Sequence, residues 1–192
     1  QREDAEPYIS ILERNIQRIG QLISEMLESA KRRELDLAPC RVADLMNTVM
    51  RRVADRLALQ NMKGEVSVET DLPVVRVDHD LVELAFTNLA VNAIEAMEPH
   101  RGRLFLKAYR DGADVIIEFI DNGRGVPPEE LARLFEPYYS GRAGGLGLGL
   151  TTSRTILNSH GVSVDVKSEV GKGTTFILRF PTNVMDRVER VA

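Results

Sequence analysis

DNGRGV (Asp121–Val126) follows the apolar, strand-like run VIIEFI (Val115–Ile120); downstream come LFEPYYS (Leu134–Ser140) and GGLGLGL (Gly144–Leu150). A helix-like run, LTTSRTILNSH (Leu150–His160), takes over from the last glycines. A carboxylate just past a buried strand can accept a hydrogen bond from a ligand's amino group. Neighbouring glycines let the backbone approach a flat ring without Cβ clashes. Glycines that feed a helix start present free N–H groups and the positive end of the helix dipole, which suits phosphate. One end of the stretch suits a base and the other a polyphosphate. It reads as a nucleotide site.

Spacing excludes two commoner glycine motifs. A Walker loop needs G-x-x-x-x-G-K-[ST], but Gly171-Lys172 is followed by Gly173 and lacks the upstream glycine. A dinucleotide fingerprint needs G-x-G-x-x-G; counting on from Gly147 and Gly149 puts Thr152 where the last glycine belongs.

Working outward, Leu104–Tyr109 and Val115–Ile120 flank Asp111-Gly112, a hairpin signal. A short helix is expected near Pro128–Phe135. Gly161 is placed to cap the Leu150–His160 helix. Val162–Ser168 and Thr174–Phe180 then form a last hairpin turned at Val170–Gly173. Towards the N-terminus, Val42, Leu45, Met46, Val49, Met50, Val53 and Leu57 make a wide apolar stripe that predicts a core helix over Val42–Leu59. Gly64–Thr70 alternates as a half-buried strand does, and Val74–Val77 is a second extended run. Asp78 reads as the N-cap of a long helix over Leu81–Met97. Past residue 42 the main order is helix, strand, helix, two strands, helix, two strands. That order predicts an α+β fold, a two-layer α/β sandwich whose mixed sheet carries helices on one face.

Residues 1–33 read as mostly one helix. Leu12, Ile16, Ile19, Ile23, Met26 and Ala30 are spaced alternately four and three apart, the seam of a coiled coil or bundle. That seam predicts self-association. Pro39 with Cys40 marks a boundary. The expected division is residues 1–38, bundle helix and linker; 39–184, nucleotide-binding domain; and 185–192, a C-terminal tail.

The length of 192 residues suits one ordinary domain plus an appendage. A formal net charge of −4, with no long basic block, argues against nucleic acid as the main partner. The single Cys40 excludes an internal disulfide and points to a reducing compartment. There is no run of about eighteen apolar residues to span a membrane and no visible signal peptide. His79, His100 and His160 do not cluster with Cys40 or one another at ligand spacing, so no zinc site is expected. Because the chain starts at Gln1, a piece of a longer protein is expected.

Asn88 and Asn92 lie one turn apart on one face of the Leu81–Met97 helix. Their neighbours Leu89, Ala90, Val91, Ala93, Ile94 and Ala96 are apolar or small, and amides so embedded need partners. Their carbonyls are hard oxygen ligands of the kind Mg²⁺ accepts beside phosphate and water.

NLAVNAIEAM (Asn88–Met97), DNGRGV, LFEPYYS, GGLGLGL and GKGTTF (Gly171–Phe176) together resemble the asparagine, glycine and phenylalanine boxes of sensor histidine kinase catalytic domains, of the nitrogen-regulator type. Those domains belong to the superfamily of DNA gyrase B, heat-shock chaperone ATPases and MutL, with its Bergerat-type ATP-binding fold. The resemblance covers roughly Val42–Pro181 and rests on several motifs in the right order. It implies that Asp121 receives the adenine amino group, with Thr174 helping through water, and that Gly123 and Gly125 sit against the purine. It implies that Asn92, with Asn88, holds Mg²⁺ on the phosphates of ATP. Gly145, Gly147 and Gly149 would line the triphosphate within a short lid (Ser140–Leu146), Leu148 and Leu150 packing below. Arg142 would neutralise the γ-phosphate, and Phe135 and Tyr138 would anchor the lid. Asn88 and Arg142 form the catalytic set; Tyr138 and Leu148 join the nucleotide-binding one.

The same resemblance makes residues 8–33 the second helix of a dimerisation and phosphoacceptor hairpin. The first helix, with its acceptor histidine, is missing from the chain, so autophosphorylation by this chain alone is not expected. The implied partners are ATP, a phosphoacceptor helix of the same or a sister subunit in a homodimer, and a response regulator. The implied location is cytoplasmic, free or as the cytoplasmic part of a membrane-anchored sensor. Hydrolysing relatives carry a glutamate base where Asn88 stands, which favours transfer over hydrolysis here. Glu95 stands where many sensor kinases place a phosphate-contacting lysine. A protein-serine kinase of the anti-sigma-factor type and a nucleotide-sensing pseudokinase or interaction module remain open as alternatives.

Overall fold

A period-two rhythm of burial runs through most of the sheet, although Val115, Ile116 and Ile117 are buried in succession. The computed structural model describes residues 35–139 and 147–181; the expected bundle helix of residues 1–33 and the tail 185–192 lie outside them. In chain order the elements are β1 (Ala38–Cys40), α1 (Val42–Leu59), β2 (Lys63–Val68), β3 (Val75–Val77), α2 (His79–Ala96), β4 (Arg103–Asp111), β5 (Asp114–Asp121), α3 (Pro128–Leu131), α4 (Gly149–Ser159), β6 (Ser163–Glu169) and β7 (Gly173–Pro181). Five strands form one sheet in the order β2-β4-β5-β7-β6. Its β2–β4 pair is parallel and its other pairs antiparallel, so the sheet is mixed, as expected.

Period two decides which side chains face the helices. Leu104, Leu106 and Ala108 of β4, Val115, Ile117 and Phe119 of β5, and Phe176, Leu178 and Phe180 of β7 are buried together. Leu45, Met46, Val49 and Val53 of α1, Phe86 and Leu89 of α2, and Leu157 of α4 complete one continuous core. Phe86 meets Phe119 edge-on at 5.1 Å between ring centroids, a favourable geometry for the ring quadrupoles. The same alternation puts Asp121, two residues beyond Phe119, on the inner face at the end of β5. That is how a carboxylate comes to be buried.

Several boundaries match the sequence reading and others differ for physical reasons. The α1 helix has the expected ends. The Asp78 side chain caps α2, its Oδ1 accepting from the Leu81 N–H at 3.3 Å, so the helix starts two residues before the expected Leu81. The β4–β5 turn is Gly112-Ala113, enclosed by the Asp111–Asp114 pair, with Gly112 at φ +61°. The expected boundary at Pro39 and Cys40 is instead part of β1, which pairs antiparallel with β3 and sets Pro39 opposite Arg76. Proline lacks an N–H and is tolerated in so short an edge strand. Helix α3 stops at Leu131 rather than Phe135, because the bonds Arg133 N–H to Glu130 O and Glu136 N–H to Arg133 O tighten the chain into successive turns. Among the described residues no helix is long and apolar enough to cross a membrane.

Candidate functional site

Asp121 is the only acidic residue of β5 on the core side, and it is 5% exposed. Its Oδ1 accepts two backbone hydrogen bonds, from Gly123 N–H at 2.8 Å and Thr174 N–H at 3.1 Å. The second follows from register, because Asp121 and Thr174 are paired across β5 and β7. The Asp121 Oδ2 has no hydrogen bond among the described residues. Burial pushes the Asp121 carboxyl above the usual aspartate range, and the two N–H bonds act in the opposite direction.

The DNGRG loop is held from two sides. Arg124 N–H donates to the Ala96 carbonyl at the end of α2 (3.0 Å), and Gly171 N–H of the β6–β7 turn donates to the Arg124 carbonyl (2.8 Å). Gly125, at φ +69°, packs so closely that a Cβ there would run into the Glu169 carbonyl. A Cβ on Gly123 would lie 2.6 Å from the Ala96 carbonyl oxygen. The demand for glycine at both positions therefore comes from the protein's own backbone, before any ligand is considered.

Two cross-ties set α2 against α4. Ser153 Oγ lies 3.2 Å from the Ala85 carbonyl and 2.8 Å from that of Gly149. At the other end Asp78 N–H donates to His160 Nε2 at 3.0 Å, and His160 Nδ1 lies 2.7 Å from the Ile156 carbonyl. With N–H facing Nε2 and C=O facing Nδ1, the imidazole carries its proton on Nδ1. This alignment brings Asn92 beside the first residue of α4: a Cβ on Gly149 would stand 3.7 Å from the Asn92 amide nitrogen. The α4 N-terminus, whose first N–H groups have no partner within the helix, thus opens beside the Asn92 amide.

Between these parts lies a cleft of about 390 Å³. Asn92, Asp121, Gly125, Gly147, Gly149 and Thr174, six of the residues expected from the sequence, line it. Asn88, one turn earlier on α2, is half-buried and does not line it, nor do Gly123, Tyr138 and Leu148. Leu148 is the buried N-cap residue of α4, its carbonyl accepting from Thr152 N–H at 2.9 Å. Tyr138 is 53% exposed at φ +65°, and its neighbour Tyr139 lines the cleft in its place. Phe135 packs edge-on to Phe176 at 6.5 Å beneath the Arg154 guanidinium, anchoring this segment. Arg142 and Gly145 lie outside the described residues.

The sequence reading did not assign Glu95, Arg124, Val126, Glu130, Leu134, Val170 or Phe176 to the cleft, all of which line it. Glu95, Arg124, Val126, Leu134 and Phe176 fall inside the quoted motifs; nothing local marks Val170, the exposed tip of the last hairpin. Among the described residues no group of three or more His, Cys, Asp or Glu side chains could hold a metal. Asn92 and Glu95 are the polar residues of α2 that line the cleft, and both side chains carry oxygen donors. That set fits a hard cation which takes its remaining ligands from phosphate and water.

Residues 77–184 match the family model described as histidine kinase-, DNA gyrase B-, and HSP90-like ATPase. Sensor histidine kinase ZraS of Escherichia coli (strain K12) is 30% identical over 181 residues, covering 94% of this chain and 39% of ZraS. The chain thus spans well under half the length of that relative. The catalytic domain of histidine kinase ThkA superposes with a TM-score of 0.70 at 21% identity, over 77% of this chain and 97% of that domain. Full-length ShkA, solved in complex with AMPPNP, superposes with a TM-score of 0.74 at 26% identity, over 93% of this chain and 39% of ShkA. The matched region runs from β3 through every cleft-lining element, and the chain belongs to the histidine kinase-, DNA gyrase B- and HSP90-like ATPase family.

Proposed function

We propose that this chain is the ATP-binding catalytic portion of a sensor histidine kinase, passing the γ-phosphoryl of Mg-ATP to a histidine on a separate helix for relay to a response regulator. The observation that carries the reading is the buried Asp121, its Oδ1 locked by two N–H groups and its Oδ2 left for a ligand's amino group. The adenine lies with its amino edge on that oxygen and its ring between the loop at Gly125 and the apolar wall of Val126, Leu134 and Phe176. The triphosphate runs toward Asn92 and the N-terminus of α4, where N–H groups and the helix dipole favour anionic oxygens. Asn92, with Glu95 beside it, holds Mg²⁺, which supplies charge neutralisation on the phosphate oxygens.

An amide at Asn88 cannot take a proton from water, so the site lacks a general base there and spares bound ATP for transfer. The chain's own part in transfer is positioning: the cleft fixes the nucleotide and leaves the terminal phosphoryl facing the open side, where an imidazole nitrogen can approach in line. ShkA, solved with AMPPNP, and ZraS, named a sensor histidine kinase, support both the nucleotide and the reaction. The acceptor helix, homodimer pairing through the residue 12–30 seam, the response regulator and a lid role for Arg142 and Gly145 belong to the same proposal. Titrating the chain with AMPPNP by calorimetry, with and without Mg²⁺, tests binding. Adding a histidine-bearing acceptor hairpin and labelled ATP tests transfer; bound nucleotide with no phosphohistidine would leave a binding module and not a kinase.

A further inference from the structure

Ser168, in β6, does not itself line the cleft, yet its hydroxyl makes three hydrogen bonds at the cleft's edge. Val126 N–H reaches its oxygen at 2.8 Å, the Gly173 carbonyl lies at 2.9 Å, and the Thr174 hydroxyl at 2.9 Å. An N–H can only donate and a carbonyl can only accept, and a serine hydroxyl has one proton. The Ser168 proton is therefore committed to Gly173 O, and its oxygen receives the Val126 N–H. A hydroxyl–hydroxyl contact can run either way in general; here Ser168 has no proton left to give. Thr174 must donate, and its one proton points away from the cleft.

We infer that Ser168, by taking the Thr174 proton, turns the acid side of the cleft into an acceptor-only wall that selects purine nucleotides bearing a 6-amino group over their 6-oxo analogues. The inference rests on the nucleotide reading proposed above. Thr174 lines the cleft, is 5% exposed and stands directly across the ladder from Asp121, whose ionised carboxylate is likewise acceptor-only. Two acceptors side by side match an exocyclic amine. A 6-oxo group in the same place sets lone pairs against lone pairs, and neither wall atom can rotate a proton into the gap. Discrimination of this kind comes from buried polar groups left unpaired by the wrong ligand. Ser168 is paired in register with Thr174, so the strands hold the relay in place. It acts as a positioning residue without touching the ligand.

Calorimetric titration with ATP and with inosine triphosphate tests this on the whole chain. Ser168→Ala frees the Thr174 proton to swing into the cleft, and the ATP-over-inosine-triphosphate affinity ratio should narrow by about three- to tenfold, the worth of one hydrogen-bond mismatch. Ser168→Thr, which keeps the hydroxyl, should restore the wild-type ratio. In a Thr174→Val background Ser168→Ala should leave the ratio unmoved, since the pair acts as a unit. Equal weakening of both nucleotides by Ser168→Ala, or a ratio change that persists in Thr174→Val, would overturn the inference. Wild-type chain that binds neither nucleotide would instead sink the nucleotide reading itself. Neutron diffraction from the wild-type protein gives an answer independent of how the variants fold: the Thr174 deuteron should sit between the two hydroxyl oxygens, and a deuteron on the cleft side refutes the relay.

Discussion

Replacing Asp121 by asparagine separates what the carboxylate does for the ligand from what it does for the fold. The amide keeps one oxygen, which can go on accepting from Gly123 and Thr174 N–H, and puts an NH₂ where Oδ2 stood. Facing the adenine amine, that NH₂ sets donor against donor. Losing a hydrogen bond to a charged group costs about 1.5–3 kcal/mol, roughly a ten- to 150-fold loss of affinity, and the donor clash pushes toward the upper end. Flipping the amide would restore an acceptor to the ligand but turn the NH₂ on two buried N–H donors, at about 1–3 kcal/mol each. The flip costs more than it recovers. The fold should respond in the opposite sense. Because the Asp121 carboxyl titrates above the usual aspartate range, the folded state holds its proton more tightly than the unfolded chain. The burial cost of the charge is absent below the unfolded value, grows as pH rises toward the folded one, and is complete above it. Without ligand, Asp121→Asn should therefore melt higher than wild type at neutral pH, with the gap closing as pH falls through that window. Calorimetric titration and thermal melts at several pH values check both halves. An Asp121→Asn protein that binds ATP like wild type removes the carboxylate from the base site, and one that melts no higher at neutral pH refutes the burial argument.

Other expectations follow from the same geometry. ATP affinity of the wild type should weaken as pH falls into the raised titration range of Asp121, since the protonated carboxyl loses the charge that receives the amine; an affinity flat down to the ordinary aspartate range counts against this. Asn92→Ala should abolish the Mg²⁺ dependence of nucleotide binding, read as equal affinities with Mg²⁺ and with a chelator. Gly125→Ala should destabilise the chain by more than about 1 kcal/mol, because φ +69° strains any Cβ and the Glu169 carbonyl blocks it; an unchanged melting temperature would contradict this. Phe86→Ala should cost about 3–5 kcal/mol in denaturant unfolding, since Phe86 is fully buried against Phe119 and Phe180.

Most of the scaffold was legible because its signals are periodic. The α1 stripe, the Asp78 cap and the two later hairpins each repeat or punctuate over enough residues to outweigh local noise. What escaped was set by conformations and pairings that no periodicity carries. A three-residue strand containing Pro39 shows no alternation, so β1 looked like a boundary. Tyr138 and Tyr139 are chemically alike neighbours; a left-handed turn at Tyr138 sends the first to solvent and the second to the cleft, and the sequence holds no glycine there to announce it. Asn88 and Asn92 share a helical face, but only the second lies far enough along α2 to reach the N-terminus of α4. Ser168 was read as one more residue of a strand, because its importance exists only once β6 and β7 are in register.

That dependence on register extends to the whole base end of the cleft. Side chains alternate across a strand, so slipping β7 by one residue against β5 would turn Thr174 outward and offer Asp121 a different neighbour. What fixes the register lies deeper in the sheet. Phe119 pairs with Phe176 and Ile117 with Leu178, all buried, two and four residues along β5 from Asp121. A slip of β7 would push its own Phe176, Leu178 and Phe180 toward water, losing about 1.5–3 kcal/mol for each, far more than any rearrangement of hydrogen bonds at the site returns. The hydrophobic core therefore specifies which hydroxyl stands beside the acid. The proposed recognition of the base would, in this fold, be a consequence of how the sheet is buried.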